Sequence, residues 1–142
     1  MKNTLFISLI LLFLGCDGKI HKNVYDKSKI GATISSIEVV ANDEESLGFC
    51  KKIIQERGFV LGKSNYKLRV EHRDYSASCT NPLSKTSSDY SYDGLVVLEL
   101  FYEDTKIYSI YRDFKGKVSE KLFVTLIDIM IDDLEIRLKN IK

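Results

Sequence analysis

The sequence has few of the residues and motifs on which catalysis and nucleic-acid binding usually depend. Its 142 residues include only two histidines, His21 and His72, and no Gly-rich phosphate loop, nucleophile elbow or Cys/His cluster with metal spacing. Lys and Arg number 21 against 20 Asp and Glu, so the basic surplus of a nucleic-acid-binding surface is missing. We therefore expect a protein that is not an enzyme, requires no cofactor or metal and binds no nucleic acid.

Long hydrophobic runs are also lacking. The most apolar segment, residues 5–14, is ten residues long, which is about half of the ~20 residues that a membrane-spanning helix needs. It follows a single positive charge, Lys2, and precedes the small residue Gly15. This arrangement is typical of a secretory signal peptide.

The pair Gly15-Cys16 that ends this segment resembles the lipobox of bacterial lipoproteins. The resemblance implies removal of residues 1–15, diacylation of the Cys16 thiol and acylation of the new amino terminus, which together give stable anchoring. Phe13 and Leu14 depart from the preferred pattern, and the alternative is an ordinary signal peptide. Asp17 resembles the inner-membrane retention signal of enteric bacteria, but the sequence leaves inner and outer membrane open. We expect a lipid-anchored protein of the bacterial cell envelope whose domain faces the periplasm.

Lipidation of Cys16 would leave two cysteines, Cys50 and Cys79. An even number of cysteines in an exported chain favours a disulfide. Closing a loop of about 28 residues would stabilise the fold by roughly 3–4 kcal/mol in the chain-entropy model. The alternative is two free thiols in a reducing compartment.

Three segments follow from the composition. Residues 1–15 are the removable signal peptide, 16–31 a flexible tether, and 32–142 a single globular domain. The tether is predicted because it carries Lys, His, Asn, Asp and Ser with few apolar residues. Its four lysines are within reach of anionic headgroups, although a solvated linker is the favoured interpretation.

The globular segment is predicted to be an α+β two-layer sandwich in the order β-α-β-β-β-α. Polar and apolar residues alternate over 66–75, and 94–102 followed by 107–113 reads as a hairpin. Helical spacing and capping residues indicate helices over about 43–57 and from Ser119 onward. We expect a mostly antiparallel four-stranded sheet with the two helices on one face.

The segment 76–92 is the predicted partner-binding region. It is rich in Ser and Thr and lacks periodicity, and long irregular loops are often functional. Tyr75, Tyr90 and Tyr92 bracket it, and tyrosine suits binding surfaces. Ordinary strand tyrosines are the alternative. We expect His72 to be a packed histidine rather than a general base for Cys50.

Three segments of the chain carry a family resemblance: residues 79–83, residues 90–93 before the next strand, and the strand 95–102. Together they resemble a family of small proteobacterial lipoproteins of unknown function. Two residues separate Cys79 from Pro82 and there is no tryptophan, in contrast to that family. The element order is also similar to that of the lipopolysaccharide-assembly lipoprotein LptE. These resemblances imply an envelope binding or scaffold module for a protein or glycolipid partner, with an LptE-like role in lipopolysaccharide transport as the alternative.

Overall fold

The computed structural model describes residues 18–75 and 92–139. The elements are β1 Ile20–Val24, β2 Thr33–Ile34, β3 Ser36–Ala41, α1 Glu44–Glu56, β4 Val60–Leu61, β5 Tyr66–Asp74, β6 Gly94–Tyr102, β7 Thr105–Phe114, α2 Glu120–Asp133 and β8 Arg137–Leu138. A short 3-10 turn, Lys27–Lys29, follows β1. Six strands form one sheet in the order β1-β7-β6-β5-β3-β4, and β2 and β8 form a separate parallel pair.

The α+β class with two helices stands, but the prediction of a mostly antiparallel four-stranded sheet is wrong. The main sheet has six strands of mixed direction. β3 lies parallel to both β4 and β5, while β1, β7, β6 and β5 pair antiparallel. The parallel β3–β5 pair follows from connectivity, because α1 carries the chain back across the sheet before β5 begins. The pattern of the sequence missed the edge strands because they are short or mostly exposed.

The segment 16–31, expected as a flexible tether, contributes the edge strand β1. Ile20 pairs with Arg112 and Val24 with Tyr108 in an antiparallel ladder. The three residues between Ile20 and Val24 are exposed, which explains why the composition resembles that of a linker. Backbone hydrogen bonds, together with packing of Ile20 and Val24 against the core, hold this strand in place.

Both helices cover the same face of the sheet and enclose a single core. The inward residues of β5 and β6 are buried at every second position, as expected for half-buried strands. The β6–β7 register shifts at Leu100 and Phe101, and the consecutive Ile107 and Tyr108 are both buried. Both features are those of a β-bulge, in which one strand carries one residue more than its partner. The largest fully buried side chains include Tyr108, Phe123, Leu68, Leu98, Leu100, Ile53 and Leu126.

The first helix begins at Glu44, close to the predicted start at about residue 43. Asp43 is the N-cap, and its Oδ1 accepts the backbone N–H of Ser46 at 2.8 Å. Asn42 instead binds the backbone of His72 in both directions, at 2.7 and 2.8 Å. Arg57 then joins α1 to α2 through a two-bond fork to Asp128 at 2.7 and 2.9 Å. These contacts fix α1 against β5 and α2.

Candidate functional site

One end of the sheet holds Gly18, which follows the predicted lipidation site Cys16 by two positions in the sequence, and we call it the anchor end. It is formed by residues 18–20, 74–75, 92–94 and 112–117. The strand registers bring these segments together, since Ile20 pairs with Arg112, and Gly94 pairs with both Asp74 and Phe114. Residues 76–91 lie outside the described residues. They include the predicted site residue Tyr90 and the cysteine Cys79. Cys16 also lies outside the described residues.

Gly18 fixes the chain at the anchor end. Its N–H donates to the Asp113 carbonyl oxygen at 3.2 Å, and its own carbonyl accepts from Arg112 Nε at 2.9 Å. A Cβ at this position would lie 2.7 Å from the carbonyl oxygen of Asp113 and 2.8 Å from its Cβ. Only glycine therefore fits here without displacing Asp113. Because Gly18 is two residues after Cys16, the two Cα atoms are at most about 7 Å apart. A flexible connection of the predicted length is absent from the described part of this segment.

Tyr75 and Tyr92, two of the three predicted partner-binding tyrosines, lie at the anchor end. The Tyr75 hydroxyl donates to Asp113 Oδ1 at 2.7 Å, and its N–H donates to the Asp93 carbonyl at 2.9 Å. Burial, followed by the hydrogen bond to Asp113, raises the pKa of Tyr75 to about 12. Lys115 Nζ lies 5.6 Å from the centre of the half-buried Tyr92 ring. The hydrogen bonds of Tyr75 therefore help to hold the anchor end together. Tyr92 lies at the surface of the anchor end, with Lys115 near its ring.

A basic cavity of about 110 Å³ opens between the end of β7 and the start of α2. Four cationic side chains and two hydroxyl residues contribute to its wall, and no carboxylate of residues 18–75 or 92–139 lines it. Ser119, the N-cap of α2, makes no side-chain capping hydrogen bond. The lining residues are Arg112, Phe114, Lys115, Lys117, Ser119, Lys121, Leu122 and Thr125. We call this the basic cavity; it was not predicted from the sequence.

A second cleft contains His72. It is about 570 Å³ in volume and is lined by Glu45, His72, Asp74, Asp93, Gly116, Lys117 and Val118. The His72 side chain is 14% exposed, with Nδ1 3.5 Å from Asp43 Oδ2 and Nε2 3.6 Å from Asp74 Oδ1. Its ring centre is 5.6 Å from that of Phe114. The surroundings are those of a histidine packed at the rim of the core, and no group of three metal-ligating side chains occurs in the part of the chain described.

The thiol of Cys50 lies inside the core, on α1. Burial, with the charge of Asp43 as a second cause, raises its pKa to about 12. A reactive cysteine needs the opposite shift, because the thiolate is the nucleophile. Its predicted disulfide partner, Cys79, lies outside the described residues, so the bridge remains a prediction.

The face of the sheet opposite the helices has no helix over it among the described residues. His21 and Tyr111 stack there with ring centres 4.8 Å apart and planes 10° apart, and Tyr111 is 38% exposed. Glu99 accepts from Lys106 at 2.7 Å on the same face. We call this surface the outer face.

No family model, curated protein or solved structure matches the chain. Within the described ranges, no helix is long and apolar enough to cross a membrane. The function is therefore argued from the residues and geometry of the chain itself.

Proposed function

We propose that the protein is a non-enzymatic lipoprotein of the bacterial cell envelope. It is anchored through Cys16, its domain faces the periplasm, and it serves as a binding or scaffold module for a protein or glycolipid partner. The observation that carries the proposal is the attachment of Gly18 to Asp113 and Arg112. A lipidated residue two positions earlier would hold the anchor end at the headgroups, because the intervening chain is too short to let the domain swing away.

The position of the tyrosines is consistent with this arrangement. Tyrosine has an apolar ring and a polar tip, a combination that favours the boundary between lipid and water. Tyr92 and the lysine above it lie at the end of the sheet that the anchor would bring to the bilayer. We therefore assign Tyr75 and Tyr92 to the membrane-proximal surface, where a partner would have to lie at the level of the headgroups.

The outer face is the surface that we assign to a periplasmic partner. It presents an exposed aromatic stack, His21 with Tyr111, among half-buried apolar side chains of β6. Aromatic residues of this kind are enriched at the centres of protein interfaces. The two helices cover the opposite face, so the outer face is the broad surface left available by the described part of the fold.

The experiment compares wild type with Cys16→Ala in cells of the native host, followed by affinity capture in mild detergent. We expect wild type in the membrane fraction, released only by detergent, and the variant in the soluble periplasm. A double variant, His21→Ala with Tyr111→Ala, should lose the captured partner, whereas Val60→Ala, at an exposed apolar residue away from this stack, should retain it. Equal fractionation of wild type and Cys16→Ala would overturn the anchoring, and unchanged capture by the double variant would overturn the assigned surface.

A further inference from the structure

Three lysines of the basic cavity have no carboxylate partner in the described part of the protein. Lys115, Lys117 and Lys121 are exposed, and no carboxylate in residues 18–75 or 92–139 lies within 4.0 Å of their Nζ atoms. Lys22, Lys52 and Lys106 are paired with carboxylates at 2.7 Å, whereas Lys51 and Lys63 resemble the cavity lysines in having no carboxylate within 4.0 Å among the described residues. The cavity differs because it brings three lysines and Arg112 together in one concave region, in a chain whose formal charge is only +1.

The cavity also contains groups that are able to donate hydrogen bonds to an anion. Ser119 Oγ makes no capping bond, and it lies at the start of α2, a helix of 14 residues. The amino-terminal end of a helix carries partial positive charge and favours anions. Lysine binds phosphate as a point charge, and arginine binds it through a fork of N–H groups. The combination suits the phosphodiester of a lipid headgroup, whose two non-bridging oxygens share one negative charge and accept hydrogen bonds.

The cavity adjoins the predicted anchor through Arg112. This residue lines the cavity, and its Nε donates to the carbonyl oxygen of Gly18 at 2.9 Å. The chain reaches residue 16 within about 7 Å of Gly18. Headgroup phosphates of the leaflet that holds the acyl chains would therefore lie beside this opening.

We propose that the basic cavity binds the phosphate of an anionic phospholipid in the leaflet into which Cys16 is anchored. The inference rests on the proposed anchoring, and it adds a second, non-covalent contact that orients the domain. Each basic side chain near an anionic surface contributes about 1 kcal/mol, which corresponds to roughly fivefold in binding. Covalent acyl chains combined with a patch of basic residues give stable membrane attachment.

The test is native mass spectrometry of the full chain purified from host membranes in nonionic detergent micelles. The micelles contain equal amounts of phosphatidylglycerol and phosphatidylcholine. Wild type is compared with the double variant Lys117→Glu and Lys121→Glu. The matched control, Lys51→Glu with Lys63→Glu, makes the same change of charge at exposed lysines away from the cavity.

We expect wild type and the control to retain phosphatidylglycerol in preference to phosphatidylcholine. The cavity variant should lose the preference by at least about fivefold for each lysine, because replacement by glutamate removes a positive charge and adds a negative one. Equal retention of both lipids by wild type, or the same preference in the cavity variant, would overturn the proposal. If inorganic phosphate alone binds one to one and displaces phosphatidylglycerol, the cavity recognises free phosphate and the lipid assignment is wrong. The same spectra report covalent acylation of Cys16, so the failure of the anchor is distinguished from the failure of the cavity.

Discussion

The backbone N–H of Gly18 donates to the carbonyl oxygen of Asp113 at 3.2 Å, which joins the first described residue to the end of β7. The contact has a direct consequence for a chain predicted to be lipidated at Cys16. The domain would be held against the bilayer in one orientation, with the basic cavity towards the headgroups and the outer face along its side. Gly18 thus links the predicted anchoring sequence to the fold.

Gly18→Ala should destabilise the domain, because the added Cβ would contact Asp113 at less than 3 Å in the present geometry. Overpacking of this kind costs about 1–3 kcal/mol. Urea denaturation measures the change in the free energy of unfolding. Gly48→Ala is the control, since its Cβ would meet nothing within 4 Å and alanine favours a helix interior by about 1 kcal/mol. A loss of stability in the control, or none in Gly18→Ala, would contradict the role assigned to Gly18.

Asp43 should make the stability of the fold depend on acidic pH. Burial alone would raise its pKa, but the hydrogen bonds from Ser46 and the neighbouring His72 hold the pKa of Asp43 below its ordinary value. Because the pKa is lower in the folded state, this stabilisation is present above the unfolded pKa of about 3.9 and is lost as the pH falls through the folded pKa.

Two substitutions at Asp43 separate the cap from the charge. Asp43→Ala should cost about 1 kcal/mol at neutral pH through loss of the N-cap. Asp43→Asn should keep the cap at neutral pH and lose less stability on acidification, because the amide does not titrate. Unfolding curves collected from pH 7 to pH 2 test both, because the loss occurs below the unfolded pKa of about 3.9. Identical acid sensitivity in wild type and Asp43→Asn would rule out this carboxylate as a source of the pH dependence.

Tyr108 should contribute more to stability than the ion pair beside it. The hydroxyl of this fully buried residue donates to Asp133 Oδ2 at 2.7 Å, and Lys22 contacts the other oxygen of the same carboxylate at 2.7 Å. Tyr108→Phe should cost about 1.5–3 kcal/mol, the range for hydrogen bonds to charged groups. Lys22→Ala should cost less than about 1 kcal/mol, because the lysine is exposed. Chemical denaturation measures the loss in the free energy of unfolding for both variants. A larger loss for Lys22→Ala than for Tyr108→Phe would contradict this prediction.

The predicted disulfide between Cys50 and Cys79 is tested by reduction. We expect the intact mass to rise by two hydrogens on reduction under denaturing conditions. We also expect Cys79→Ser to lower the free energy of unfolding by roughly 3–4 kcal/mol. A mass unchanged by reduction would establish two thiols, and the Cys50 thiol should then alkylate slowly in the folded protein because burial raises its pKa.

The long central elements could be read from the sequence because local patterns specify them. The alternation over 66–75 and the apolar run over 94–102 correspond to β5 and β6, and the predicted helix over 43–57 corresponds to α1. β1, β4, β2 and β8 could not be read in this way, since they are two to five residues long and depend on backbone pairing with distant strands. The parallel direction of β3 and β5 is likewise a tertiary property.

The basic cavity was missed for a different reason. Arg112, Lys115, Lys117 and Lys121 come from a strand, a turn and a helix, and the near-neutral composition conceals their clustering. One signal was present: Lys121 lies in the first turn of α2, and two further lysines precede it. The helix dipole favours negative charge at this position, which Glu120 supplies, so the lysines around this turn are the feature of the sequence that could have drawn attention to the cavity.

The most direct test of the account is the intact mass of the protein extracted from membranes of its own host. We predict a species of residues 16–142 carrying covalent acyl chains on Cys16, and a Cys16→Ala variant that carries none. An unmodified mass for the wild-type protein, with or without its first fifteen residues, would contradict the lipid anchor and the membrane-facing orientation that depends on it.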